Sequence, residues 1–162
     1  MVTSGDKAML FHYTVGNYLP QIKADGIQPA TARIDPGERP VVWLTASPIW
    51  DKTANKMLQR RGELVRLDVH QTAERGGGLV RISIGEGVVV VSWREWRKTS
   101  GVKSGTAKRL ERTAIESGSL VENWWVSYSP ILSSMFDSIQ TSMEGMKWTA
   151  HAGGNEPPLM KS

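Results

Sequence analysis

The sequence predicts an α+β fold of mostly antiparallel strands with a few flanking helices. Two observations carry this. Several short segments alternate apolar and polar residues, the period-2 mark of half-buried strands. The two or three helical segments are not regularly interleaved with the roughly seven strands, which argues against a doubly wound parallel sheet.

Taken in order, residues 9–14 read as a strand. Asn17 is placed to cap a short helix with Leu19 and Ile22 on its apolar side, ending at Gly26. Residues 28–40 hold Pro29, Pro36, Gly37 and Pro40 and read as a loop. A compact strand follows at 41–45. Ser47 is placed to cap a helix from 48 to about 59, with Pro48 in its first turn, where the missing N–H costs nothing. Residues 64–69 and 79–84 alternate as strands, with Gly76, Gly77 and Gly78 between them as a mobile loop. Residues 88–93 make another strand. Ser104 or Thr106 caps a helix ending at Gly118, and 124–128 is a strand. Residues 136–143 and 146–150 pair as a hairpin across Glu144 and Gly145, with a helix as the alternative.

The 162 residues suit one domain, expected over 1–152, with 153–162 as a flexible tail. Zero Cys excludes a disulfide framework, a thiolate zinc site and a cysteine nucleophile, and it fits a reducing compartment. The longest aliphatic run is 88–91, far short of the roughly 20 residues a membrane helix needs. With Ser4, Gly5 and Asp6 at the start, no signal peptide and a cytoplasmic location are expected. His12, His70 and His151 show no metal-ligand spacing, so no metal is expected. No Walker loop, dinucleotide fingerprint or serine-hydrolase elbow is present.

The net charge of +4 is uneven. Residues 94–112 carry Arg94, Arg97, Lys98, Lys103, Lys108, Arg109 and Arg112 against Glu95 and Glu111. This basic segment reads either as a phosphate-facing patch or as ordinary solvated surface. Trp supplies 7 residues against 3 Tyr and 2 Phe, and its broad face suits cores and flat ligands alike.

The run Leu10-Phe11-His12-Tyr13-Thr14 is followed by a helix ending Asp25-Gly26-Ile27 and by Trp43-Leu44-Thr45. In this order the segments resemble the N-terminal half of the ADP-ribosyltransferase superfamily. The likeness is to the His-Tyr-Glu branch that includes diphtheria toxin and the poly(ADP-ribose) polymerases, and above all to small bacterial and phage toxin-like members. It covers roughly residues 9–58 and, more loosely, 115–131. The resemblance implies a split β-sandwich and NAD as substrate. It implies His12 on the nicotinamide ribose, Tyr13 and Thr14 beside the nicotinamide, and Thr45 as a polar cofactor contact. It implies a Glu that stabilises the oxocarbenium-like transition state, for which Glu122 is the candidate. Glu122 also reads as a plain loop carboxylate. The family's stacking Tyr has no counterpart here, since Tyr18 and Tyr128 lie elsewhere. Trp43 or Trp50 can supply the aromatic face, with Trp50 the more exposed of the two. Arg33, Arg39 and Arg66 are candidates for the diphosphate, with Arg66 favoured for its place in a strand.

The function expected from the resemblance is NAD-dependent mono-ADP-ribosyl transfer to a protein or nucleic acid, with release of nicotinamide. A nucleic-acid acceptor would dock on 94–112, with Trp93 and Trp96 stacking bases; Trp124, Trp125 and Trp148 read as packing. A toxin of this kind would have an antitoxin as partner. The rival readings are a non-catalytic protein of the same scaffold and a basic nucleic-acid-binding module. RNA 2′-phosphotransferase chemistry is a fourth reading, with too few of its Arg and His positions.

Overall fold

The computed structural model describes residues 9–30 and 35–151. The 153–162 tail, the N-terminal residues and Arg33 lie outside the described residues.

The apolar strand Leu10–Val15 (β1) is buried along nearly its whole length, and it takes the middle of a seven-stranded sheet. The strands are β2 (Val42–Thr45), β5 (Leu79–Ile84), β6 (Val91–Ser92), β7 (Trp124–Ser127), β8 (Phe136–Ser142) and β9 (Thr149–Ala150). Their order is β6-β7-β2-β1-β5-β8-β9, and every neighbouring pair is antiparallel. The fold is therefore α+β with antiparallel strands, as expected. β1 and β5 pair over six residues, but β1 and β2 meet at one pair alone, Phe11 with Thr45. The sheet is nearly divided at that seam.

Alternation along β1 splits its side chains between two packing layers. Leu10 joins Leu19, Ile22, Val80, Ile82 and Ile131 on one face. Phe11, Tyr13 and Val15 meet Trp50, Ala73 and Leu79 on the other. A third cluster covers the β2–β7 end, where Trp43, Trp93, Trp96 and Trp124 gather with ring centroids 4.8–6.2 Å apart. Two helices close over it, α3 (Trp93–Thr99) and α4 (Ser104–Ser117). The first helix, α1 (Leu19–Asp25), ends at Gly26 as expected, but Asn17 does not cap it: a 3₁₀ turn over Gly16–Tyr18 leads into the helix, and the Asn17 amide donates to the Arg75 carbonyl at 3.1 Å. The helix α4 ends at Gly118 as expected, but neither Ser104 nor Thr106 caps it. Asp35 does so from a distant loop, accepting from the Lys103 N–H at 2.9 Å and from Thr106 Oγ1 at 3.2 Å. These bonds lower the Asp35 pKa.

Four further expectations fail for identifiable reasons. Residues 48–59 are not a helix. The Asp51 side chain accepts from the Thr53 N–H and hydroxyl, which pulls Lys52–Ala54 into a single 3₁₀ turn. The chain then runs into β3 (Met57–Arg60), which pairs with β4 (Glu63–Arg66) as a separate two-stranded ribbon. Residues 67–69 leave the expected strand because Asp68 and Gln71 form a reciprocal capping box that starts α2 (Val69–Gly76). The three glycines form no mobile loop: Gly76 ends α2 against Val15, and Gly77 caps it in the left-handed conformation. Of the 88–93 strand only Val91–Ser92 pairs, because Ser92 Oγ accepts the Glu95 N–H and opens α3.

The hairpin across Glu144 and Gly145 is present as β8 with β9. Its turn docks on the body through the Trp50 backbone N–H, which donates to the Gly145 carbonyl at 3.0 Å. Among the described residues no helix is long and apolar enough to cross a membrane.

Candidate functional site

A cleft of about 280 Å³ opens at the β1–β2 seam. Where a sheet pairs at one position, side chains of both strand ends are left to line a groove. Here they are Phe11, His12 and Tyr13 from β1 and Trp43, Leu44 and Thr45 from β2. Asp51, Thr53 and Ala54, Leu110 of α4 and Trp124 of β7 complete the lining.

His12 is the cleft's one imidazole. Its Nδ1 lies 2.9 Å from the Trp43 carbonyl. A carbonyl only accepts, so Nδ1 carries the proton and the neutral ring presents a lone pair at Nε2. Nε2 has no partner among the described residues. Burial pushes the His12 pKa below its ordinary value; the Trp43 carbonyl opposes this and the Lys56 charge adds to it. The sign of the pH dependence follows. The unfolded chain takes up a proton near pH 6.5, while native His12 refuses it until a lower pH. The contribution of His12 to stability is full above about pH 6.5 and is lost as pH falls through the native pKa. Urea unfolding between pH 8 and pH 5 should show a steeper loss for the wild type than for His12→Asn. Equal slopes would contradict the geometry. His151, also lowered by burial and by Lys23, is common to both proteins.

Tyr13 is buried, and its hydroxyl donates to the Ser47 carbonyl at 2.6 Å. Burial raises its pKa, Arg81 opposes and Asp51 adds, so the group stays a phenol donor. Thr45 is buried, and its Oγ1 accepts the Ser47 N–H at 3.1 Å.

The carboxylate in the cleft is Asp51, which sequence reasoning missed. It is only 9% exposed. Oδ1 accepts from the Thr53 N–H (2.9 Å), Thr53 Oγ1 (2.6 Å) and Ser119 Oγ (2.7 Å). Oδ2 accepts from Trp124 Nε1 at 3.0 Å. The Asp-x-Thr spacing at 51–53 is a turn signal that was legible, but the expected helix hid it.

The other expected site residues fall elsewhere. Glu122 is exposed in a 3₁₀ turn and does not line the cleft. Thr14 is buried in β1 away from the cleft. Trp50 is 6% exposed, packed edge-on to Tyr13 at 5.4 Å with Nε1 on Asn55, so it presents no stacking face. Its apolar neighbours in the sheet claim it. Trp43 does line the cleft, though it is also part of the four-indole cluster. Arg66 donates to the Thr53 and Asn55 carbonyls, both at 3.2 Å, and is spent on holding the rim. Arg39 lies over the Tyr128 ring, 3.7 Å from its centroid. Trp93 and Trp96 are buried and cannot stack bases. Within 94–112, Arg97 pairs with Glu111 at 2.7 Å.

A second hollow of about 340 Å³ shares Thr45 and Asp51 with the cleft and carries Ser47, Lys52, Ser119 and Asn123. Among the described residues no three His, Asp or Glu are grouped to hold a metal. Comparison with protein-family models, curated proteins and solved structures returned no significant match.

Proposed function

We propose that the cleft binds the nicotinamide riboside end of NAD and that the chain transfers ADP-ribose from NAD to a macromolecular acceptor. The observation that carries this reading is His12, fixed through Nδ1 to the Trp43 carbonyl at the seam. Its Nε2 lone pair can accept a ribose hydroxyl proton. Phe11, Trp43 and Trp124 give the cleft an aromatic lining suited to a flat ring. The adjoining hollow with Lys52 extends the site toward the length of a dinucleotide.

In the reaction, the bond between ribose C1′ and the nicotinamide nitrogen breaks. The electron pair leaves with nicotinamide, and positive charge grows on the ribose. The acceptor nucleophile then bonds C1′ and gives up its proton. A carboxylate fixed in place before the reaction stabilises that charge without reorganising. Asp51, held by four donors, is placed to do this from the cleft wall, the role expected of Glu122. A reducing compartment remains the expected setting, on the absence of Cys.

A binding protein without turnover is the second reading. The exposed position of Glu122 and the full engagement of both Asp51 oxygens favour it.

Calorimetry with NAD and chromatographic detection of nicotinamide separate the two. Wild type should bind NAD, and His12→Ala should weaken it about tenfold or more, the loss of roughly one strong hydrogen bond. Asp51→Asn should keep binding and lose nicotinamide release, while Glu122→Gln behaves as wild type. Absence of NAD binding to the wild type, or unchanged binding in His12→Ala, would sink the proposal. Tight binding with no release in the presence of protein and nucleic-acid acceptors would select the second reading.

A further inference from the structure

The β3–β4 ribbon stands apart from the main sheet. Seven of its eight strand residues are exposed, and only Leu58 is half-buried. A two-stranded ribbon exposed on both faces has no core to fill. Its register pairs Arg60 with Glu63, so Arg61 and Gly62 form a two-residue turn. Both have positive φ, 52° at Arg61 and 81° at Gly62. Such turns favour Asn or Gly at the first position. Arg61 is the sole non-glycine with positive φ among the described residues. A bulky residue held in that conformation is strained, and strain of this kind points to a use.

Charge gives the use its chemistry. Residues 52–66 carry Lys52, Lys56, Arg60, Arg61 and Arg66 against Glu63 alone, a local +4 that equals the net charge of the whole chain. Arg66 anchors the ribbon base to the cleft rim, and Lys56 lies over the Tyr18 ring at 4.4 Å. Among the described residues, the side chains of Lys52, Arg60 and Arg61 make no ion pair or hydrogen bond, and their backbones serve only the turn and the ribbon. On α3, by contrast, Arg97 and Lys98 both have acidic partners.

We propose that the β3–β4 ribbon is a docking arm for duplex nucleic acid, with Arg60 and Arg61 on backbone phosphates. A two-stranded ribbon fits the major groove, and arginine matches phosphate oxygens bidentately. Arg66 ties the base of the arm to the Thr53 carbonyl, and Thr53 lines the cleft, so the arm rises from the cleft rim. This inference does not depend on what the cleft binds.

The test is fluorescence anisotropy with a labelled 20-base-pair DNA duplex, with no NAD present. Wild type should bind, and its affinity should fall steeply with salt. Arg60→Gln/Arg61→Gly should weaken binding at least tenfold and reduce the magnitude of the log–log salt slope by about 2, near 0.9 for each phosphate no longer neutralised. The same double variant should raise the thermal midpoint, because glycine relieves the strained turn. Lys52→Gln should weaken binding less, and Arg94→Gln/Lys98→Gln should stay within twofold of wild type. Failure of the wild type to bind, wild-type affinity in the ribbon variant, or a larger loss in the α3 variant would overturn the proposal. Tighter binding of the single strand than of the duplex, or equal competition by polyglutamate, would overturn it too.

Discussion

Asp51→Ala should destabilise the protein by about 3–5 kcal/mol, because one carboxylate satisfies four donors and burial leaves little water to replace it. Three segments meet on that side chain: the turn after β2 through Thr53, the α4–β7 connection through Ser119, and β7 through Trp124. Alanine leaves the Trp124 indole N–H buried without an acceptor, and Ser119 loses its tie to the cleft wall. Asp51→Asn keeps the shape but offers one acceptor oxygen in place of two, and should cost about half as much. Urea unfolding monitored by circular dichroism measures both. A cost below about 1 kcal/mol for the alanine variant would mean that the four bonds are replaced by solvent.

Gly26→Ala should cost about 3–5 kcal/mol, combining backbone strain with a close approach. Gly26 sits at φ 82°, ψ 176°, a region open only to glycine. An added Cβ would lie 2.6 Å from the Ile131 carbonyl oxygen. That oxygen accepts the Ile27 N–H at 2.8 Å, and Ile131 is fully buried, so neither side can retreat cheaply. Gly37 is the control. It has φ 83° but nothing within 4 Å of an added Cβ, so Gly37→Ala should cost only about 1 kcal/mol of strain. Equal costs for the two would show that conformation alone, and not the approach to Ile131, governs Gly26.

The strands nearest the sheet centre were legible because burial and alternation act together there. β1 and β5 each hold five buried residues out of six, and a run of that composition has few other fates. The misread segments are those where a side chain overrides local preference. Ser92 and Glu95, like Asp68 and Gln71, stand at capping-box spacing, so the starts of α3 and α2 were written in the chain. Their apolar neighbours, at strand spacing, masked that signal. Of the ribbon, β4 falls largely within the strand expected over 64–69, whereas β3 was hidden by the helix expected to run to about 59; the turn between them opens on an arginine at positive φ, which no turn rule favours. At the candidate site, His12 and Tyr13 of β1 and Trp43 and Thr45 of β2 were singled out from two short strands, and all four line the cleft. Asp51 was legible as a turn former with Thr53 but not as a cleft carboxylate, since its other two donors, Ser119 and Trp124, reach it only in the folded chain.

The four-indole cluster has an optical consequence. Trp43 and Trp124 line the cleft, and both lie within 6.2 Å of Trp93. Ring transitions at that spacing couple, so the cluster should give a strong near-ultraviolet dichroic band. Of the remaining indoles, Trp50 and Trp148 sit around Tyr13, and Trp125 packs against the core on the other face of β1. A molecule seated against Trp43 should therefore alter that band, and the cleft carries its own spectroscopic label.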